Sequence, residues 1–309
     1  MRFFFLLPAL IALLSFVAAV DLDAFLFDET PALRNWWKAF GLKSQVTQTG
    51  PREWLQTLTE FHNRHYLSEH GYMAQVWLHE QLKIITHSYR GVQIEKYEHV
   101  FNQSSFIVRI PGGKKSRGLV VISTYYDSAA ATKDDRAPGA VDNGSTVVAL
   151  LEALRVLALK KFNARNTIEF HFYAGTKGEY LGSQQIMSDY AFERKIKILA
   201  LLNQADVGYS PTNKINIFAD YCRQKLRVFT AKIATAHGGP IAEFSGCGYA
   251  CGDHISAYTK GYPTVFVSGH THGPEYRDTG EDTFDKVDFG AVVRHTKFTL
   301  AFLAEVAQL

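Results

Sequence analysis

Residues 166–183 read NTIEFHFYAGTKGEYLGS. The run from Thr167 to Tyr173 has the β-branched and aromatic character of a strand, which ends on Gly175 and drops into a glycine-rich turn. In α/β proteins the loops beyond the ends of buried strands carry the chemistry. This loop offers Thr176 and Lys177, and no carboxylate until Glu179. What those two side chains can do decides whether the chain is an enzyme.

Outward from this unit the same pattern recurs. SFIVRI (105–110) and GLVVIST (118–124) are short β-rich runs joined by the turn PGGKKSR. KILALLNQADV, KINIFA and PTVFVS add further strand-like runs. GSTVVALLEALRVLALKK (144–161) has helical spacing, with Val147, Leu151, Leu154 and Ala158 on one face. Helical spacing also runs from Arg52 to His87, through Trp54, Leu55, Leu58 and Phe61 and then Met73, Val76, Trp77 and Ile84. A last helix is expected from about Val287 to Ala307. Strands alternating with helices imply an α/β fold with a largely parallel central sheet. The loops after Thr124, Tyr173, Ala205 and Val267 are then the place to look for a site.

The 309 residues are 47% hydrophobic and 20% charged, with no linker or repeat to divide them, which fits one large domain. The opening MRFFFLLPALIALLSFVAAV has a basic start, an apolar run and small residues at Ala18 and Ala19, the pattern of a secretory signal cleaved near Ala19. The expected division is a signal peptide over 1–19, an N-terminal extension over 20–50 and one domain over 51–309, in a secreted protein with no membrane attachment after cleavage. With 33 Lys and Arg against 30 Asp and Glu, and no extended basic run, no nucleic acid partner is expected. Cys247 and Cys251 form a close pair for which a disulfide and two buried thiols are both open readings; Cys222 is the third cysteine. NQS at Asn102 and NGS at Asn143 are glycosylation sequons.

The loops STYYDSAAATKDDRAPGAVDNGS, YAGTKGEYLGS, LLNQADVGY and SGHTHGPEYRDTGEDTFDKVD, with CGYACGDHISAYTKGYP, resemble the secreted leucine aminopeptidases. These are two-zinc exopeptidases related to glutaminyl cyclases and the transferrin-receptor ectodomain. APGAVDNGS, LGSQ and CGYACGDH, found together and in order from about Trp54 onward, carry the likeness. It implies a three-layer αβα sandwich with a mixed, mostly parallel central sheet. In the active family, imidazole and carboxylate donors hold two zinc ions and a glutamate serves as the general base, as zinc chemistry demands.

Carried over position by position, the resemblance implies a degenerate site. Tyr125 stands where the first ligand histidine belongs, Thr176 at the base, Lys177 at the ligand glutamate and Ala205 at a ligand aspartate, with Asp206 one place late. Asp278 falls on the last ligand histidine, with Arg277 beside it. Asp127 (the orienting position), Asp142 (the bridging position) and Tyr249 are retained. A protonated ammonium has no lone pair for a metal, and a threonine is no carboxylate base. The resemblance thus implies a catalytically inactive homologue with no zinc expected, in which Lys177, joined by Arg277, neutralises the remaining aspartates. Its ligand would be a peptide or an anionic small molecule. The rival reading is an active zinc-dependent peptide hydrolase holding its metal on Asp142, Asp206 and Asp278, helped by His270 or His272. Asp127 and Asp142 also have a plain reading as loop caps, His254 as a structural residue, and His62, His65 and His70 as surface.

Overall fold

The computed structural model describes residues 31–241 and 244–309. The signal segment and the first residues of the expected extension lie outside the described residues.

Seven strands form one sheet: β1 Gln93–Tyr97, β2 Ser105–Ile110, β3 Leu119–Tyr125, β4 Thr167–Tyr173, β5 Ile198–Ala205, β6 Asn216–Ile217 and β7 Thr264–Ser268. Their spatial order is β1-β2-β4-β3-β5-β7-β6. The four inner strands β4, β3, β5 and β7 run parallel, while β1, β2 and β6 pair antiparallel at the edges. Every residue of β3 and β5 is buried, as parallel strands covered on both faces require.

Helices cover both faces. On one lie α1 Trp36–Lys43, α2 Thr49–Glu60, α3 Glu69–Thr86, α4 Ser145–Leu159 and α8 Phe289–Val306; α5 Leu181–Ser188 and α7 His254–Tyr258 lie on the other, and α6 Gln224–Ile233 packs beside β7 and α8. The expected mixed-sheet, three-layer α/β architecture is therefore present. Strand β4 shows how the layers are separated. Ile168, Phe170 and Phe172 join the core under α4 and α8, whereas Tyr173 joins the second core with Ile186 and Met187 of α5. Between these, Glu169 is fully buried and held by Arg109, His171 and Tyr190.

Several local expectations are corrected. The helical spacing over 52–87 is interrupted at Phe61, whose backbone turns extended, so two helices form; Ser68 starts the second by accepting a hydrogen bond from the Gly71 amide. On that second helix Met73, Val76 and Ile84 are exposed, and the buried face is Gly71, Ala74, Gln75, Leu78 and Leu82. Helix α4 is buried around nearly its whole circumference, so it has no single apolar face. Of KINIFA only Asn216–Ile217 pairs as strand, and β1 was not anticipated.

Helix α1, within the expected extension, packs on α8, and Glu305 of α8 accepts hydrogen bonds from the amides of Arg34 and Asn35.

Candidate functional site

Strand β3 ends on Tyr125 at the centre of the sheet, and its buried hydroxyl donates to Oδ1 of Asp142 at 2.5 Å. Asp142 reaches that point from the loop before α4. A cis peptide bond joins it to Asn143, whose side-chain amide donates to Thr124 and to the Tyr125 carbonyl. Asp282 holds the loop from the other side: its two carboxylate oxygens accept from the amides of Val141 and Asp142 at 2.8 and 2.9 Å. Asp282 thus does the loop capping that Asp142 was given as its plain reading.

A buried arginine braces the same loop. Arg64 donates to the carbonyls of Leu58, Tyr126, Pro138 and Gly139 and is fully buried, and among the described residues no carboxylate is hydrogen-bonded to it. Burial lowers its pKa to about 10, opposed by the nearby Asp282, Asp127 and Asp142.

The turn after β4 supplies two further groups. Asp127 accepts from the backbone amides of Thr176 and Lys177 at 3.1 and 2.9 Å, so it orients this turn. Burial pushes its carboxyl up to about 6 despite those bonds. The Thr176 hydroxyl bonds to the buried Asp253, whose carboxyl burial raises to about 7. Lys177 turns inward: its Nζ lies 2.7 Å from Oδ2 of Asp142 and 2.6 Å from Oδ1 of Asp278.

Arg277 meets the same aspartate. Its Nε lies 2.5 Å from Asp142 Oδ2, and its Nη2 lies 3.6 Å from Asp206. Asp206 follows strand β5 with a left-handed backbone (φ 53°), which swings its carboxylate inward, 3.4 Å from both the Tyr125 hydroxyl and His270 Nε2. Being one place late in sequence therefore does not keep it out, and Ala205 only lines the adjoining cleft. Burial resists ionisation of Asp142, but Lys177 and Arg277 outweigh it and hold its carboxyl well below the ordinary range. Burial likewise works against the Lys177 ammonium; Asp142 and Asp278 overcome that and raise its pKa. Arg277 is raised by Asp206 and then Asp142.

Beside this cluster opens a cleft of about 350 Å³, lined by Phe218, Phe266, Tyr249, Asp206, His270 and Arg277 among others. Cys247 and Cys251, on its rim, form a disulfide; Cys222 is a free thiol. Tyr249 is 61% exposed at the mouth of the cleft. His254 is structural as expected, buried and stacked on Phe266. His270 is buried at the cluster with neither ring nitrogen hydrogen-bonded, while His272 is exposed. His62 and His70 pack together in a separate pocket shared with Lys133 and Asp134. Asn143 is fully buried and hydrogen-bonded inside the fold, which excludes it as a glycan acceptor in the folded chain; Asn102 is exposed.

Tyr125, Asp142, Lys177, Asp206, Arg277 and Asp278 are thus brought together, and Asp127 and Thr176 support them from behind. Asp282, Asn143 and Arg64 were not anticipated. For Asp282 a signal existed, an aspartate in the same acidic loop as Asp278; for Arg64, nothing distinguishes it from a surface arginine in sequence.

Peptidase family M28 matches residues 105–303. Leucine aminopeptidase 1 of Blastomyces gilchristii is 36% identical over 283 residues, spanning 86% of this chain and 73% of that protein. Leucine aminopeptidase 1 of Paracoccidioides brasiliensis is 35% identical over 284 residues, 86% of this chain and 72% of that one. Among solved structures, LapB from Legionella pneumophila superposes with a TM-score of 0.83 at 27% identity, covering 89% of this chain and 76% of its own. A glutaminyl cyclase from an Acidobacteriales bacterium shares the fold, with a TM-score of 0.69 over 84% of this chain and 95% of its own.

Proposed function

The chain belongs to peptidase family M28, and we propose that it is a secreted, catalytically silent member that retains a ligand cleft but does not hydrolyse peptides. One observation carries this reading. The Asp142 carboxylate, at the position the family resemblance gives to the bridging ligand, has Lys177 and Arg277 on one oxygen and Tyr125 on the other.

The donors at hand do not suit a pair of zinc ions. Asp142 is engaged on both oxygens, Asp278 is engaged by Lys177, and a cationic ammonium and guanidinium sit among them. A divalent ion there would meet like charge and find no free bridging carboxylate. No general base stands at Thr176, whose hydroxyl is tied to Asp253. The inward Lys177 and Arg277 leave three carboxylates, Asp142, Asp206 and Asp278, facing two fixed cations, which supports their role as built-in counter-ions.

The cleft beside the cluster has apolar walls from Phe218 and Phe266, with part of the Arg277 guanidinium and the His270 ring, its Nε2 3.4 Å from Asp206, at its inner end. A peptide or small ligand bearing a carboxylate fits those donors. Titration calorimetry that finds an unblocked amine preferred over a carboxylate removes this part of the reading.

The deciding experiment is zinc quantification on the purified mature protein together with hydrolysis of a leucine chromogenic substrate. Neither stoichiometric zinc nor turnover is expected. Stoichiometric zinc with turnover abolished by a chelator overturns the proposal and favours the rival, a peptide hydrolase using Asp142, Asp206 and Asp278 with His270. The short separation of His270 from Asp206, 3.4 Å, is the observation that favours that rival.

A further inference from the structure

The cleft lies at the carboxyl ends of the parallel strands, and the opposite end of the sheet has a distinct character. Five segments enter strands there: 87–92 before β1, 111–118 before β3, 160–166 before β4, 195–197 before β5 and 259–263 before β7. None of them contains Asp or Glu, and each carries at least one Lys or Arg. Arg90 lies in the first, Lys114, Lys115 and Arg117 in the second, and Lys160, Lys161 and Arg165 in the third. Lys195, Lys197 and Lys260 complete the set. Most are exposed, and none makes an ion pair among the described residues, whereas neighbouring Arg194 is paired with Glu95 and Asp189.

Trp37 stands at the rim of the same face, on a helix that exposes further apolar side chains. Helix α1 exposes Trp36 (63%), Trp37 (59%) and Phe40 (66%), and Leu159 is exposed just before Lys160. Trp37 and Lys38 share a cleft of about 470 Å³ with Lys160 and Lys161, and an adjoining cleft of about 390 Å³ joins Lys161 to Arg90. Exposed rings clustered like this mark a docking surface.

We propose that this face is a peripheral docking surface for an anionic phospholipid layer. Unpaired cations gain from negative headgroups, each by an amount that accumulates across the patch. The rings are what distinguish the partner: a sulfated polysaccharide or a nucleic acid duplex would neutralise the charges but offer three outward aromatic side chains on one helix little apolar depth. A headgroup and acyl boundary takes both. The sequence expectation of no membrane attachment after cleavage rested on the lack of a later segment able to span a bilayer; the fold assembles this patch from separate loops. The surface is independent of the cleft and of any activity there.

The test is co-sedimentation of the mature protein with vesicles of phosphatidylcholine alone or with roughly one-third phosphatidylserine. Binding is expected only to the anionic vesicles and falls as salt is raised. Lys160→Glu with Lys161→Glu should weaken partitioning at least about thirtyfold, taking each surface cation as worth about a factor of five and each reversal as costing more than simple loss. Trp36→Ser with Trp37→Ser should weaken it at matched salt, and Lys133→Glu, at the opposite end, should leave it unchanged. If the first pair misfolds by circular dichroism, Lys114→Glu with Lys115→Glu in an exposed loop reads the same effect. No binding to anionic vesicles at low salt, equal binding to neutral ones, or partitioning indifferent to both charge reversals overturns the proposal. So does retention on heparin or duplex DNA, or dimerisation lost on charge reversal, without vesicle binding.

Discussion

Lys177 and Asp142 form a buried ion pair: Nζ and Oδ2 are 2.7 Å apart, with 12% and 1% of the two side chains exposed. Two charges taken this far from water are stabilising only while each keeps its partner. Removing one partner of such a pair costs roughly 3–5 kcal/mol in general, and here Arg277 remains beside Asp142 to offset part of it. Lys177→Ala is therefore expected to destabilise the fold by about 2 kcal/mol and lower Tm by several degrees. An unchanged Tm in calorimetry would show that Lys177 is not a structural counter-ion.

Lys177→Glu tests the same cluster with the sign reversed. It places a third carboxylate against Asp142 and Asp278, which repel one another unless a cation intervenes. The variant should melt well below the parent, and added Zn²⁺ should raise its Tm through binding to the folded state, while the parent does not respond. Thermal melts with and without metal decide this; a parent that responds as strongly as the variant contradicts the proposed filling of the site.

Three buried carboxyls should make stability fall as pH rises toward 8. Burial raises Asp127 to about 6, and Asp253 and Asp282 to about 7, so the folded chain binds more protons than the unfolded chain between their ordinary value of 3.8 and those values. Stability contributed by the protonated forms is present below that window and is lost as pH rises through it. Asp142 works the other way: its depressed pKa contributes stability above 3.8 that fades as pH falls further. Urea midpoints should decline from about pH 6.5 to 8, above the range in which the buried His254 and His295, held below the ordinary histidine value, oppose this trend, and Asp253→Asn should flatten part of that limb. A midpoint that climbs steadily to pH 8 would mean these carboxyls are not held as described.

The free thiol should be inert. Burial pushes Cys222 up to about 12, leaving almost no thiolate near neutrality. Iodoacetamide should label no cysteine in the native, unreduced protein and one in denaturant. Rapid native labelling would show that the thiol is reachable.

For chain passed through a secretory pathway, glycosidase treatment should remove one N-glycan, at Asn102, since Asn143 is fully buried. A mass shift for two glycans on correctly folded protein would be incompatible with the position of Asn143.

The inner strands were legible because burial on both faces demands near-continuous apolar runs, and LVVIST and ILALL are such runs. QIEKY at β1 was not, because an edge strand needs little apolar content and none of the residues of this one is buried. The exposed Met73, Val76 and Ile84 misdirected the facing of α3, since apolar spacing there does not follow the buried side. At the site, the motif positions of Tyr125, Asp142, Lys177 and Asp278 could be read from the family likeness. The inward turn of Asp206 could not, because it depends on one left-handed backbone dihedral that spacing does not encode. Asp282 and Arg64 act through long-range bonds to backbone, which leave no local pattern.

Arg64 ties the end of α2, the end of β3 and the 138–139 bend with one guanidinium. Geometry at residue 142 is consequently hostage to a side chain far upstream that never touches the cleft. Variation at position 64 would be felt as a lesion of the cavity floor, and a survey confined to cavity-lining positions would overlook its origin.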